Sequence, residues 1–265
     1  MADVHDDRPL VLRSFDEGVL TLTLNRGERF NPLSSQMIAA LDAELEAAAD
    51  DEAIRVVVLA AAGKGFSAGH DLKEMRAHAR DKIWQRELFD ACSRMMLRLT
   101  ALPQPVIARV QGIATAAGCQ LVSMCDLAIA SEEARFALPG VNIGVFCSTP
   151  AVGVVRNVGR KRAMEMLLTG TLVDASTALA WGLVNRVVPT HTLDAAVAEM
   201  VGAITARSAA TIRLGKQAFY AQVERPVAAA YAVTSEVMAC NMLLDDASEG
   251  IDAFLGKRAP VWQGR

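Results

Sequence analysis

Two glycine-bracketed loops carry the residues of this sequence best placed for chemistry. The first, Gly65-Phe66-Ser67-Ala68-Gly69, fits the GxSxG pattern in which a serine at a sharp strand-to-helix turn attacks an acyl group. His191 lies downstream, in the order that a serine, acid and histidine relay requires. Against that reading, Ala61 to Lys64 separate the pattern from the preceding strand, where an elbow needs an abrupt turn. No HGG-type oxyanion segment precedes it either, so an α/β hydrolase built on Ser67 is the lesser expectation. The second loop lies in Gln111 to Asp126, where small residues crowd Gly112 to Gly118 between a strand-like run, Pro105 to Val110, and an apolar helical run. The first N–H groups of a helix lack intrahelical acceptors and face whatever sits before them, so this junction suits an anion or oxyanion. A tight turn that needs small residues for packing is the competing reading.

Around these loops stand His70, the one histidine in a candidate site loop, and Asp71, placed to cap the helix that follows. The five cysteines, Cys92, Cys119, Cys125, Cys147 and Cys240, are odd in number and widely spaced. They form no CxxC pair and no histidine arrangement suited to zinc, so they read as reduced thiols and no metal is expected. A net charge of −3 with interleaved signs argues against a nucleic-acid surface or a polybasic membrane face. No apolar run approaches the ~18 residues of a membrane span. The acidic start, Met-Ala-Asp-Val-His-Asp-Asp-Arg, lacks the pattern of a leader, and a cytoplasmic address is expected.

The elements that position the loops follow from periodicity. Gly18 to Leu24 alternates with period two, as a half-buried strand does, whereas Ile54 to Ala60 is continuously apolar, as a strand covered on both faces is. Ser34 or Ser35 can cap a helix carrying Met37, Leu41 and Leu45. Strand, helix and strand then alternate, which favours an α/β core with its ligand loops at one end of the strands. After Thr190 the pattern is helical throughout. It divides the chain into a core over 1–195 and a helical region over 196–265.

The segments Phe66-Ser67-Ala68-Gly69-His70-Asp71-Leu72-Lys73-Glu74-Met75 and Pro105-Val106-Ile107-Ala108, with Gly118-Cys119-Gln120-Leu121 and Met124-Cys125-Asp126, resemble the crotonase family of enoyl-CoA hydratases and isomerases. Asn25-Arg26, Phe30-Asn31-Pro32-Leu33, Thr169-Gly170 and Ala180-Trp181-Gly182-Leu183-Val184-Asn185 extend the resemblance from about residue 10 to 258. It implies a crotonase fold of repeated ββα units with a helical C-terminal trimerisation region, a homotrimer or a hexamer made as a dimer of trimers, and a place in fatty-acid metabolism. The implied ligand is an acyl-CoA thioester, with no further cofactor. Its carbonyl oxygen would be held by the main-chain N–H groups of His70 and Ala117. CoA contacts would fall on Arg26, Ala68, Asp71 and Leu72, with Phe254 and Lys257 reaching a neighbouring subunit's ligand.

The resemblance breaks where hydratases carry two glutamates, because those positions hold Gln120 and Gly140. A glutamine amide neither accepts nor releases a proton near neutral pH, and glycine has no side chain. Cys147, Ser148, Thr149, His70 and Cys119 remain as possible substitutes, Cys147 as a nucleophile or base. The Gly144 to Pro150 loop, one residue short of the usual form, is similar to that of the subgroup called enoyl-CoA hydratase domain-containing protein 3, a name that implies no reaction. The expectation is a lyase- or isomerase-like enzyme with altered acid–base residues, or a non-catalytic acyl-CoA binding relative.

Overall fold

In the computed structural model, which describes residues 8–265, strands and helices alternate as the periodicity requires. β1 (Val11–Asp16) and β2 (Val19–Leu24) form a hairpin whose two turn residues, Glu17 and Gly18, both take positive φ. Such a turn matches the twist of the flanking strands. β3 (Val56–Ala61), β4 (Val106–Val110), β6 (Leu127–Ser131) and β9 (Arg186–Val188) add to β2 in parallel, giving the order β1-β2-β3-β4-β6-β9. A smaller sheet joins β5 (Ile113–Thr115), β7 (Arg135–Ala137) and β8 (Val173–Asp174). The pairs β4 with β5 and β6 with β7 thus each send one strand to the large sheet and the next to the small one. Ser67 bridges to Ala114 of β5, so the glycine-rich loop is pinned to the edge of the small sheet.

Helices α1 (Ser35–Ala49), α2 (Leu72–Ala77), α3 (Lys82–Ala101) and α4 (Ala117–Met124) follow the early strands. The Ser34 side chain caps α1, accepting from the Met37 N–H. One face of the large sheet buries Leu20, Leu22, Leu24, Val57 and Leu59 against Leu41, Met95 and their neighbours. The other face packs Val56, Val58, Ile107 and Ile129 against Leu193, Val197 and Val201 of α8 (Leu193–Thr205). β3 is buried at every residue because it is covered from both sides. The expected boundary at 195/196 falls inside α8, whose apolar stripe belongs to the sheet, so the core runs through Thr205.

Between β7 and α8 lie α5 (Ser148–Val158), α6 (Arg160–Thr169) and α7 (Ala175–Trp181). α9 (Ala209–Gln222), α10 (Val227–Asn241) and α11 (Asp245–Leu255) close the chain. Neither α9 nor α10 has a buried residue, and Leu243 and Phe254 are 85% and 83% exposed. An apolar surface of this extent marks a contact face.

α9 is tied to the core by a polar knot. The Lys216 Nζ lies 2.6 Å from Asp126 Oδ2 and donates to the Leu99 and Gln104 carbonyls, both at 2.8 Å. Asp126 also accepts from the Val106 N–H at 2.6 Å and the Tyr220 hydroxyl at 2.8 Å. Desolvation pulls the Lys216 ammonium below its ordinary pKa, and Asp126 opposes that pull. Removing Asp126 leaves the buried ammonium without its counter-charge and the Val106 N–H and Tyr220 hydroxyl without their acceptor. Asp126→Ala should therefore cost about 3–5 kcal/mol in urea unfolding, whereas an exposed pair such as Arg86 with Asp90 should cost under about 1 kcal/mol.

Candidate active site

The site is built where the two loops touch. β5 runs into Ala116, whose φ of 50° and ψ of −120° are costly for a residue with a Cβ, of the order of 1–3 kcal/mol. That conformation is held by the Ala116 N–H donating to the Ala137 carbonyl at 2.9 Å. It turns the chain straight into α4, so the first intrahelical bond is from the Gln120 N–H to the Ala116 carbonyl at 3.0 Å. The Ala117 N–H precedes that bond and has no acceptor among the described residues. On the facing loop Gly69 adopts φ +90° and its carbonyl accepts from Leu33 at 2.8 Å, while the His70 N–H likewise has no acceptor. A Cβ placed on Gly69 would lie 2.9 Å from the Ala116 Cβ and 3.1 Å from the Ala117 nitrogen. Two free main-chain donors thus stand on loops in direct contact.

Ala68, His70 and Ala116 form part of the wall of a cavity of ≈ 430 Å³. Met75 of α2, Phe89 of α3 and the loop from Pro139 to Pro150 complete it. The only polar side chains among its lining residues are those of His70, Asn142, Cys147, Ser148 and Thr149, and no carboxylate lines it. The His70 ring stands edge-on to Phe89 with centroids 5.3 Å apart. Burial lowers the imidazole pKa to about 4, with Glu74 opposing the shift, so the ring is neutral near pH 7. Neither ring nitrogen has a hydrogen-bond partner among the described residues, and Nε2 is fully buried.

The two positions at which the resemblance implies glutamates differ in kind. Gln120 is 4% exposed, lies within α4 and does not line the cavity, and its Oε1 has no partner among the described residues. Gly140 does line it, but there is no space to refill. Its N–H donates to the Cys147 Sγ at 3.3 Å and its carbonyl accepts from the Val145 N–H at 2.9 Å. A Cβ at residue 140 would fall 2.4 Å from the Val145 oxygen and 2.8 Å from that sulfur. The backbone of the 139–150 loop takes up the space that a side chain at residue 140 would need.

Other expected residues are placed as follows. Cys147 lines the cavity, but burial pushes its thiol pKa up and the Gly140 N–H only partly offsets this, so it is no activated nucleophile near neutral pH. Cys119 is fully buried and pushed up to about 12. Leu72 joins Ala68 in the lining, whereas the Asp71 carboxylate caps α2 by accepting from the Lys73 and Glu74 N–H groups. The Arg26 guanidinium clamps the start of the chain, donating to the carbonyls of Arg8, Pro9 and Asn25. Phe254 and Lys257 are exposed at the end of α11, outside the cavity. Met75, Phe89 and Asn142 went unread as site residues. Phe89 had a faint signal, an aromatic off the buried stripe of Leu88, Cys92, Met95 and Leu99.

Ser67 is not a nucleophile. It is fully buried, its hydroxyl donates to the Asn31 carbonyl at 2.9 Å and accepts from the Gly69 N–H at 3.2 Å, and His191 sits in an exposed turn. The α/β-hydrolase reading falls with it.

The profile of the enoyl-CoA hydratase/isomerase family matches residues 14–265. The chain belongs to that family. It is 44% identical over 254 residues to the mitochondrial enoyl-CoA hydratase domain-containing protein 3 of Xenopus laevis, covering 96% of this chain and 86% of that one. The crystal structure of an enoyl-CoA hydratase from Mycobacterium smegmatis superposes with a TM-score of 0.95 at 54% identity, over 96% of this chain and 99% of that one. Human enoyl-CoA hydratase domain-containing protein 3 gives 0.93 at 42%, over 96% and 100%. These relatives confirm the crotonase fold. They also correct the cytoplasmic expectation, since the Xenopus relative and its mouse and human counterparts are named as mitochondrial. That expectation leaned on the first seven residues, which lie outside the described ones, and an acidic start does not specify a compartment.

Two predictions follow from this geometry. Because the folded His70 ring titrates near 4 and an unfolded one near 6.5, folding excludes a proton in that interval. Its contribution to stability is full above pH 6.5 and falls as pH drops towards 4, by about 3 kcal/mol. His70→Phe should lack that component when urea unfolding is compared at pH 7 and pH 4. Gly140→Ala, which adds one methyl group against the Val145 carbonyl, should destabilise by about 1–3 kcal/mol through overpacking, read in the same assay.

Proposed function

We propose that this protein binds an acyl-CoA thioester of fatty-acid metabolism, with the thioester oxygen between the His70 and Ala117 N–H groups and the acyl chain in the apolar cavity. The observation that carries this reading is the pair of unengaged donors on touching loops, at a cavity whose remaining wall is largely apolar. A thioester carbonyl accepts both donors, and each fixed donor is worth roughly 10²- to 10³-fold in rate where charge develops on that oxygen. Ala68 and Leu72 supply contacts at the mouth. The exposed apolar side chains of α10 and α11, including Leu243, Phe254 and Leu255, support assembly as a trimer or hexamer, in which Phe254 and Lys257 approach a neighbour's ligand.

Hydration by the usual pair of glutamates is not the reaction we assign. General acid–base help is worth ~10²- to 10⁴-fold per group, and neither Gln120 nor Gly140 supplies it. What the site retains is the capacity to stabilise an enolate, which suits lyase or isomerase chemistry of lower acid–base demand. The filled position at Gly140 gives a second reading its support, a relative that binds acyl-CoA without turnover.

Wild-type protein offered crotonyl-CoA should hydrate it well below the ~10 s⁻¹ of a median enzyme. An acyl-CoA at 100 times its Kd should stabilise the fold by about 2.7 kcal/mol in a thermal shift assay. Hydration at ordinary enzyme rates contradicts the chemical assignment, and no shift with any acyl-CoA contradicts the binding one.

A further inference from the structure

Four buried side-chain polar atoms lack partners among the described residues: His70 Nε2 and the Oε1 atoms of Gln104, Gln111 and Gln120. Gln104 and Gln111 are nevertheless anchored, since their amide nitrogens donate to main-chain carbonyls such as Ala48 and Ala61. His70 and Gln120 are engaged at neither end, and both flank the touching loops. A buried polar group left unpaired is costly, and a catalytic role or a bound water, ion or ligand is what accounts for one. The His70 ring lines the cavity, and Nδ1 is its nitrogen that keeps accessible surface without a partner, on the residue that also carries one of the two free N–H donors.

We propose that the His70 imidazole is a catalytic base that removes and returns a proton at the α-carbon of the bound thioester. The proposal rests on the acyl-CoA reading above. A carbonyl oxygen ~2.9 Å from the His70 N–H brings the carbon bonded to that carbonyl beside the same residue's side chain. In the step, the Nδ1 lone pair takes the α-proton while Nε2 keeps its own, the C–H electron pair forms the enolate double bond, and the carbonyl π pair moves to the oxygen facing the two N–H donors. Reversal restores both species, so no co-reactant is needed. No other lining group competes for the proton. No carboxylate lines the cavity, Asn142, Ser148 and Thr149 do not accept a proton near neutral pH, and the Cys147 thiol keeps its own while accepting from Gly140. The ring faces apolar Phe89 of α3, and Glu74 of α2 is the charged group whose field reaches it. Burial keeps the resting imidazole neutral with its lone pair free, and the enolate formed beside it supplies the counter-charge that the buried imidazolium needs.

The test is α-proton exchange of butyryl-CoA in D₂O, followed by mass spectrometry at concentrations that saturate each protein's thermal shift. Wild type should incorporate deuterium well above the rate in buffer, and His70→Gln should lose at least ~10²-fold of it. His70→Gly, which keeps the main-chain donor, should regain exchange when free imidazole is added, a gain that a misfolded variant cannot show. Binding without exchange in the wild type, exchange surviving in His70→Gln, or its loss in Cys147→Ser instead would overturn the assignment. Absence of any thermal shift with butyryl-CoA would instead remove the acyl-CoA reading on which it stands.

Discussion

Between the Ser67 carbonyl and the α-carbon of Gly118 there is no room for a methyl group, since a Cβ there would lie 2.2 Å from the oxygen. That close approach decides most of what the molecule can do. It lets α4 begin against the glycine-rich loop, and the Ser67 to Ala114 bridge together with the bond from the Thr115 N–H to the Ser67 carbonyl locks the two loops in register. Strain at Ala116 is held by the bond from its N–H to the Ala137 carbonyl of the small sheet. The small sheet therefore acts as a clamp, and the large sheet, covered by helices on both faces, gives it a rigid base. The free N–H groups of His70 and Ala117 are a consequence of this clamp, because the backbone that would have satisfied them is turned away.

Electrostatics then set the limits of the chemistry. The cavity holds neutral side chains only, so charge developing on a ligand meets main-chain dipoles and an uncharged imidazole in place of carboxylates. In a desolvated setting such dipoles act strongly and need no reorganisation. The backbone around Gly140 leaves no room for a side chain there. The Val145 carbonyl and the Cys147 sulfur occupy the direction in which that side chain would leave.

Much of the fold was legible in the sequence because its signals were local. Alternation in β2, the unbroken apolar run of β3 and the Ser34 cap each depend on a few neighbouring residues, and each was read correctly. Both loops could be found from glycine and alanine content alone, though their contact could not. What escaped were effects carried by distant parts of the chain. Ser67 matched a nucleophile motif, and only its bond to the Asn31 carbonyl shows it to be structural. Arg26 is committed to carbonyls near the start of the chain, and the apolar stripe of α8 turned out to serve the sheet. Glycine at 140 was read as an absence, since crowding around a missing Cβ leaves no trace in a residue type. Phe89 and Met75 reach the cavity only because α2 and α3 pack across it.

The central claim is that two fixed N–H groups polarise a thioester carbonyl. The most direct measurement is the infrared stretch of an acyl-CoA labelled with ¹³C at that carbonyl, recorded free and bound. A bound band displaced to lower frequency, with the bond weakened by two donors, is the predicted result. A band that stays at the frequency of the free thioester while the ligand is saturably bound would contradict the account.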